Sequence, residues 1–188
     1  MARHGLEAID ARPQAAYGGA LRVVARRNPR ITSRSQPIAP ILADEAAAGL
    51  GSAETYRRFA ADVERARTET VAYLRSRVAS GARVLAYGAP ARATTLLNWY
   101  GIGPELLEFT ADASPGKQGR FIPGTRIPIR SPGELLAARP DDVLILAWDL
   151  ADEIADYLRP IRVEGGRLLV PVPQLAILEP GGGRRLVI

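Results

Sequence analysis

The chain has no cysteine, one histidine (His4), and one lysine (Lys117) among 25 basic residues. Without cysteine, neither a disulfide nor a thiolate metal site can form. One histidine excludes His-rich metal sites and leaves little for imidazole acid–base chemistry, so no Ser/His/Asp set is expected and no metal is expected. No run approaches about 18 apolar residues, so no membrane-spanning helix is expected. The first twenty residues lack an apolar signal core, and the cytoplasm is the expected location.

What is present is a sizeable apolar fraction. The 188 residues are 47% hydrophobic, enough for one full domain plus an appendage. The net charge is +5 and the sequence pI about 10.1. The arginines are spread along the chain rather than gathered, which argues against nucleic acid as a partner.

Residues 5–27 read as two strands, Leu6–Ala11 and Ala20–Arg26, around a turn containing Tyr17-Gly18-Gly19. A lone hairpin is marginal in water and calls for a sheet to join. Residues 29–52 read as a Pro/Ser/Gly-punctuated linker with one short helical turn. A long amphipathic helix is expected over residues 53–79, with Phe59, Val63, Ala66, Val71, Leu74 and Val78 on one stripe. Ser52 suits its N-cap and Gly81 its stop.

From Arg83 onward strand and helix alternate. The expected strands are Arg83–Gly88, Leu106–Asp112, Asp142–Trp148 and Arg167–Val172. The expected helices are Arg92–Tyr100, Ser131–Ala138 and Leu150–Ile161. Continuously apolar strands alternating with helices specify an α/β fold, a Rossmann-like parallel sheet with helices on both faces.

Ligands of such sheets bind beyond the carboxyl ends of the strands. That rule selects Tyr87, Gly88, Ala89, Pro90 and Arg92 after the first strand, and Asp112 with the loop bearing Lys117 and Arg120 after the second. After the third come Trp148 and Asp149. Two cations on a loop with Gly116 and Gly119 suit a phosphate or diphosphate. Gly88 and the helix start near Arg92 offer backbone N–H groups. Trp148 offers a stacking face, and Asp112 or Asp149 an acceptor for hydroxyls. Against this stand plainer readings: Gly88 as a tight turn, Lys117 and Arg120 as a solvated loop, Asp112 and Asp149 as caps, Trp148 as core. Asp141-Asp142 and the carboxylates of Ala151–Asp156 read as solvated. No catalytic residue is assigned.

Three stretches, Ala86–Asn98, Asp112–Ile129 and Pro140–Ile154, together resemble the C-terminal domain of SAM-dependent C-methyltransferases, the group that includes sugar C-methyltransferases. Tyr87, Gly88, Ala89, Ala91, Thr95, Leu96, Leu97 and Asn98 fit the first family motif. Asp112, Pro115, Lys117, Gln118, Gly119, Arg120, Pro123 and Gly124 fit the second, and Trp148-Asp149 the third. Residues 5–27 are similar to the closing hairpin of the preceding methyltransferase domain. The resemblance implies residues 1–28 as a remnant hairpin, 29–52 as a linker and 53–188 as the C-terminal domain. It also implies binding of a nucleotide-linked sugar, S-adenosylmethionine as the cofactor of the complete enzyme but not of this chain alone, and possible pairing with a separate SAM-domain chain. The departures are Arg92-Ala93 in place of the motif's Lys-Gly, and Tyr17-Gly18-Gly19-Ala20 in place of a His-Gly-Gly-Ser turn. The SAM loop, zinc cysteines and general base of the family have no counterpart here, so stand-alone catalysis is not expected. The competing reading is a non-catalytic Rossmann-like nucleotide-binding or interaction module. An NAD enzyme is disfavoured because Gly88-Ala89-Pro90 lacks two glycines of that fingerprint.

Overall fold

The structure, a computed structural model, describes residues 1–15, 19–27, 38–181 and 183–187. It divides into two compact units, residues 1–61 and 62–188.

In the first unit, β1 (Leu6–Gln14) and β2 (Ala20–Arg27) pair antiparallel, with Glu7 opposite Arg26 and their side chains joined at 2.9 Å. The register shifts between Ala8 and Asp10, a bulge at Ile9. Every residue of β2 is exposed, and among the described residues the hairpin has no third strand. The expected turn at Tyr17-Gly18 lies outside the described residues, as do residues 28–37 of the expected linker. The rest of that linker holds a nine-residue helix, α1 (Ala39–Ala47), more than the single turn the sequence suggested. Its alanine-rich composition explains the difference, since alanine is the strongest helix former.

Helix α2 (Ala53–Ala79) has the extent read from the sequence. The Ser52 hydroxyl accepts from the Glu54 amide at 3.3 Å. Gly81 ends it at φ +83, with the amides of Gly81 and Ala82 returning to the carbonyls of Val78 and Arg77. The buried positions are Ala66, Thr70 and Leu74, one face at steps of four, whereas Phe59 is 66% exposed and leaves the expected stripe.

The second unit is built on a seven-stranded sheet in the order β5-β4-β3-β6-β7-β8-β9. Its strands are β3 (Val84–Tyr87), β4 (Thr110–Ala111), β5 (Ile129–Arg130), β6 (Asp142–Ile145), β7 (Arg167–Val170), β8 (Ala176–Leu178) and β9 (Arg184–Leu186). The first five run parallel, and β8 and β9 are antiparallel additions at one edge. The helices are α3 (Ala91–Tyr100), α4 (Pro132–Ala138), α5 (Ala151–Tyr157) and α6 (Arg159–Val163). No helix among the described residues is long and apolar enough to cross a membrane.

Alternation along the strands feeds two apolar layers. Val84, Ala86, Leu144 and Leu169 pack with Leu74 of α2 and with Ala93, Leu96 and Leu97 of α3. Leu85, Val143, Ile145 and Leu168 pack on the opposite face with Leu135, Ile154 and Ile161 of α4, α5 and α6. Strands covered on both faces have no polar side, which is why they read as unbroken apolar runs.

Four expectations need correction. The strand expected over Leu106–Asp112 is only Thr110–Ala111, because Leu106 and Leu107 turn back onto the Gly103 carbonyl. The loop after Asp112, in which no strand is expected from the sequence, buries Ile122 and Ile127 and returns as β5. The helix expected over Leu150–Ile161 is a 3-10 turn (Trp148–Leu150) followed by α5 and α6, divided next to Pro160. Asp142, read as solvated, is fully buried: its carboxylate accepts from Arg77 Nε at 2.6 Å and from Arg167 Nε at 2.7 Å.

Candidate functional site

The order of the sheet reverses between β3 and β6: the chain leaves β3 for β4 on one side and later places β6 on the other. That switch point opens a crevice at the carboxyl ends of the two strands. Two turns form it, Gly88-Ala89-Pro90 after β3 and Leu146-Ala147-Trp148 after β6.

Gly88 stands at φ +97, and a Cβ there would lie 3.2 Å from both the amide nitrogen and the Cβ of Ala147. Only glycine lets the two turns approach this closely. Its amide donates to the Ala111 carbonyl at 2.6 Å, and its own carbonyl accepts from the buried Thr110 hydroxyl at 2.9 Å. Leu146 donates to the Tyr87 carbonyl at 2.8 Å, extending the β3–β6 pairing to the rim.

Helix α3 begins immediately beyond. Its N-cap is Pro90, whose side chain has no acceptor, so the first-turn amides lack a side-chain cap. The Arg92 guanidinium crosses from this turn to the other side of the crevice. It lies 5.0 Å from the Trp148 ring centroid and donates from Nη2 to Asp149 Oδ1, while its Nε is buried without a hydrogen-bond partner. That bond is the main cause holding the Asp149 carboxyl below its ordinary value.

The second strand adds Asp112. Its Oδ2 accepts from the Ala89 amide at 2.7 Å and from Lys117 Nζ at 3.1 Å, and its Oδ1 accepts from the Ser114 amide at 2.9 Å. Three of roughly four acceptor positions of the carboxylate are thereby filled. Dinucleotide-binding domains keep a carboxylate about 20 residues beyond the glycine loop for ribose hydroxyls. Asp112 is instead committed to tying the β4 loop to the β3 turn. Together with the single glycine at Gly88, this makes the rim a poor fit for a nicotinamide dinucleotide. S-adenosylmethionine, whose ribose calls for the same free carboxylate, fits no better.

Gly88, Ala89, Lys117 and Trp148 thus meet at one rim, bridged by Asp112 on one side and Ala147 on the other. Pro90 and Arg92 belong to the same turn. Tyr87 faces the α4–α5 side, its ring 6.0 Å from that of Tyr157, and burial is the main cause raising its hydroxyl pKa, with Tyr157 and Asp112 adding to it. Arg120 stands apart: its backbone pairs with Lys117 and with Ile129 of β5, two strands from β3, and its side chain is exposed. A cleft of about 350 Å³ lined by Asp152, Asp156, Arg162 and Glu179 includes none of these residues.

Two motif residues have a structural task. Asn98 donates to the Thr94 carbonyl at 2.8 Å and to the Pro123 carbonyl at 3.0 Å. Gly124, at φ +82, leaves no room for a Cβ beside that carboxamide. Asn98 therefore pins the far corner of the Lys117 loop to α3. Asn98→Ala is expected to lower the unfolding free energy by about 1–2 kcal/mol in urea titrations, without changing the helical signal.

The sequence pattern of the C-methyltransferase C-terminal domain matches residues 15–173. The C-methyltransferase NovU of Streptomyces niveus is 36% identical over 176 residues, which make up 94% of this chain and 42% of that protein. The chain therefore spans less than half the length of that relative.

Proposed function

The chain belongs to the C-methyltransferase C-terminal domain family, and from that premise we propose that its second unit is the acceptor-binding portion of a SAM-dependent C-methyltransferase. The acceptor is a nucleotide-linked sugar or a similar small molecule with a diphosphate. The observation that carries this reading is the convergence of Lys117, Arg92, the uncapped first turn of α3 and the Trp148 ring at the switch point. Cations and the positive end of a helix suit phosphate oxygens, and the indole face suits a sugar or base. S-adenosylmethionine and the general base belong, on this reading, to residues other than those of the rim. They would come from a methyltransferase domain that residues 1–28 help to complete, in the same protein or a partner chain.

Calorimetric titration with thymidine diphosphate tests the reading, with S-adenosylmethionine as control. Saturable heat with the nucleotide and none with the cofactor is the expected result. Equal affinity for both would contradict the division of labour. Lys117→Ala is expected to weaken the nucleotide by about 1–3 kcal/mol, because it removes one of the two cations of the rim. Arg120→Ala is expected to act in the same direction but less strongly, since its side chain lies beside β5 rather than β3.

A further inference from the structure

Arg92 is held in an incomplete arrangement. A guanidinium presents its N–H groups as a planar fork suited to two oxygens at once. Here Asp149 engages only Nη2, Trp148 lies at 5.0 Å from the guanidinium, and Nε is buried with no acceptor. A buried donor without a partner is unfavourable and is relieved by any rearrangement that supplies an acceptor. The same contact ties the turn after β3 to the turn after β6, across the crevice where a ligand would enter.

We propose that Arg92 is a two-position arm, latched to Asp149 in the empty protein and transferred to the diphosphate of a bound nucleotide, with Asp149 acting as a positioning residue that holds it in reserve. The proposal rests on the rim being the acceptor's phosphate site. A diphosphate offers tetrahedral oxygens that fill the Nε–Nη fork, which the single Asp149 contact does not. The latch lowers apparent affinity by the fraction of time Arg92 is unavailable. Its release also frees the Trp148 face, so one event exposes both the charged and the aromatic part of the site.

The test is a double-mutant cycle read by thymidine diphosphate affinity. Asp149→Asn keeps the shape and a carbonyl acceptor but weakens the hold on Arg92. It is expected to lower Kd about tenfold, as for a latch closed roughly nine-tenths of the time. In an Arg92→Ala background the same substitution is expected to change nothing. A gain that persists in that background would show simple removal of a repelling charge, and would overturn the latch while leaving the site intact. No gain in either background would overturn it as well. No binding by any of the proteins, wild type included, would remove both the latch and the acceptor site.

A second readout does not depend on affinity. In a Trp99→Phe background, Trp148 is the remaining indole, and because Trp99 is 60% exposed its replacement by another aromatic removes little buried area. Ligand-free Asp149→Asn in this background is expected to differ in Trp148 emission from the ligand-free Trp99→Phe parent, because the guanidinium no longer lies over the ring. Emission identical to that of the ligand-free parent would contradict the latch. Should Asp149→Asn fail to fold, Asp149→Ser serves, since it keeps a short acceptor before α5.

Discussion

Asp142→Ala is expected to lower the unfolding free energy by about 3–5 kcal/mol, and Tm by roughly 10 °C, while leaving nucleotide affinity unchanged at temperatures where the protein stays folded. The carboxylate is fully buried at the start of β6 and accepts from Arg77 of α2 and from Arg167 of β7. Arg167 also lies 5.8 Å from the Tyr73 ring. Removing the carboxylate leaves two half-buried guanidiniums facing each other with no anion between them. That penalty, rather than the loss of a favourable pair, sets the size of the effect. Asp142→Asn keeps an oxygen acceptor but not the charge and is expected to fall between wild type and Ala. Thermal unfolding followed by circular dichroism checks the ranking. A Tm shift under about 2 °C for Asp142→Ala would mean that the cluster does not anchor α2 to the sheet. The unchanged affinity follows from location: Asp142 begins β6, whereas the rim lies beyond its far end at Ile145.

Gly88→Val is expected to have the opposite profile, with more than tenfold weaker nucleotide binding and a smaller loss of stability. A β-branched residue at φ +97 is strained by about 1–3 kcal/mol, and its Cβ would press on the backbone of Ala147. The turn after β6 must retreat, carrying Trp148 away from Arg92. Gly88→Ala makes the same intrusion with less bulk and is expected to lie between. Parallel calorimetry and urea unfolding separate the two consequences. Full affinity in Gly88→Val would mean that the close approach of the two turns does not matter to the ligand.

The pairing of these two profiles reflects how the sheet divides its tasks. Asp142, at the amino end of β6, holds α2 to the sheet, and residues at the carboxyl ends form the rim proposed to receive the ligand. Much of that division was legible in the residues. The α2 limits followed from Ser52, Gly81 and the helical period between them. The two-faced sheet followed from the apolar strands, and the rim residues from the rule that ligands sit beyond strand ends.

What escaped depended on partners distant in sequence. Asp142 reads as half of an exposed acidic pair because Arg77 and Arg167 lie 65 and 25 positions away. Strand β5 is two residues long and exists because Thr110 and Ala111 lie beside it, not because Ile129-Arg130 has a period of its own. Strands β8 and β9 are three-residue antiparallel additions, too short to carry a pattern. Thr70, buried at the centre of the α2 face, carries no signal of its burial in the sequence, because a hydroxyl interrupts an apolar stripe. Within the site, the commitment of Asp112 to Ala89, Ser114 and Lys117 could not be separated by residue type from a role in ligand binding. A carboxylate serves either purpose.

The central claim is that a nucleoside diphosphate binds at the β3–β6 switch point. The most direct measurement is a two-dimensional amide NMR titration of the isotope-labelled chain with thymidine diphosphate. Progressive shifts are expected in Gly88, Ala89, Arg92, Lys117 and the Trp148 indole, with Arg139, Asp141 and Gly165 at the opposite end of the strands unmoved. Shifts confined to that opposite end or to the β1–β2 hairpin, or no shifts at millimolar nucleotide, would contradict it.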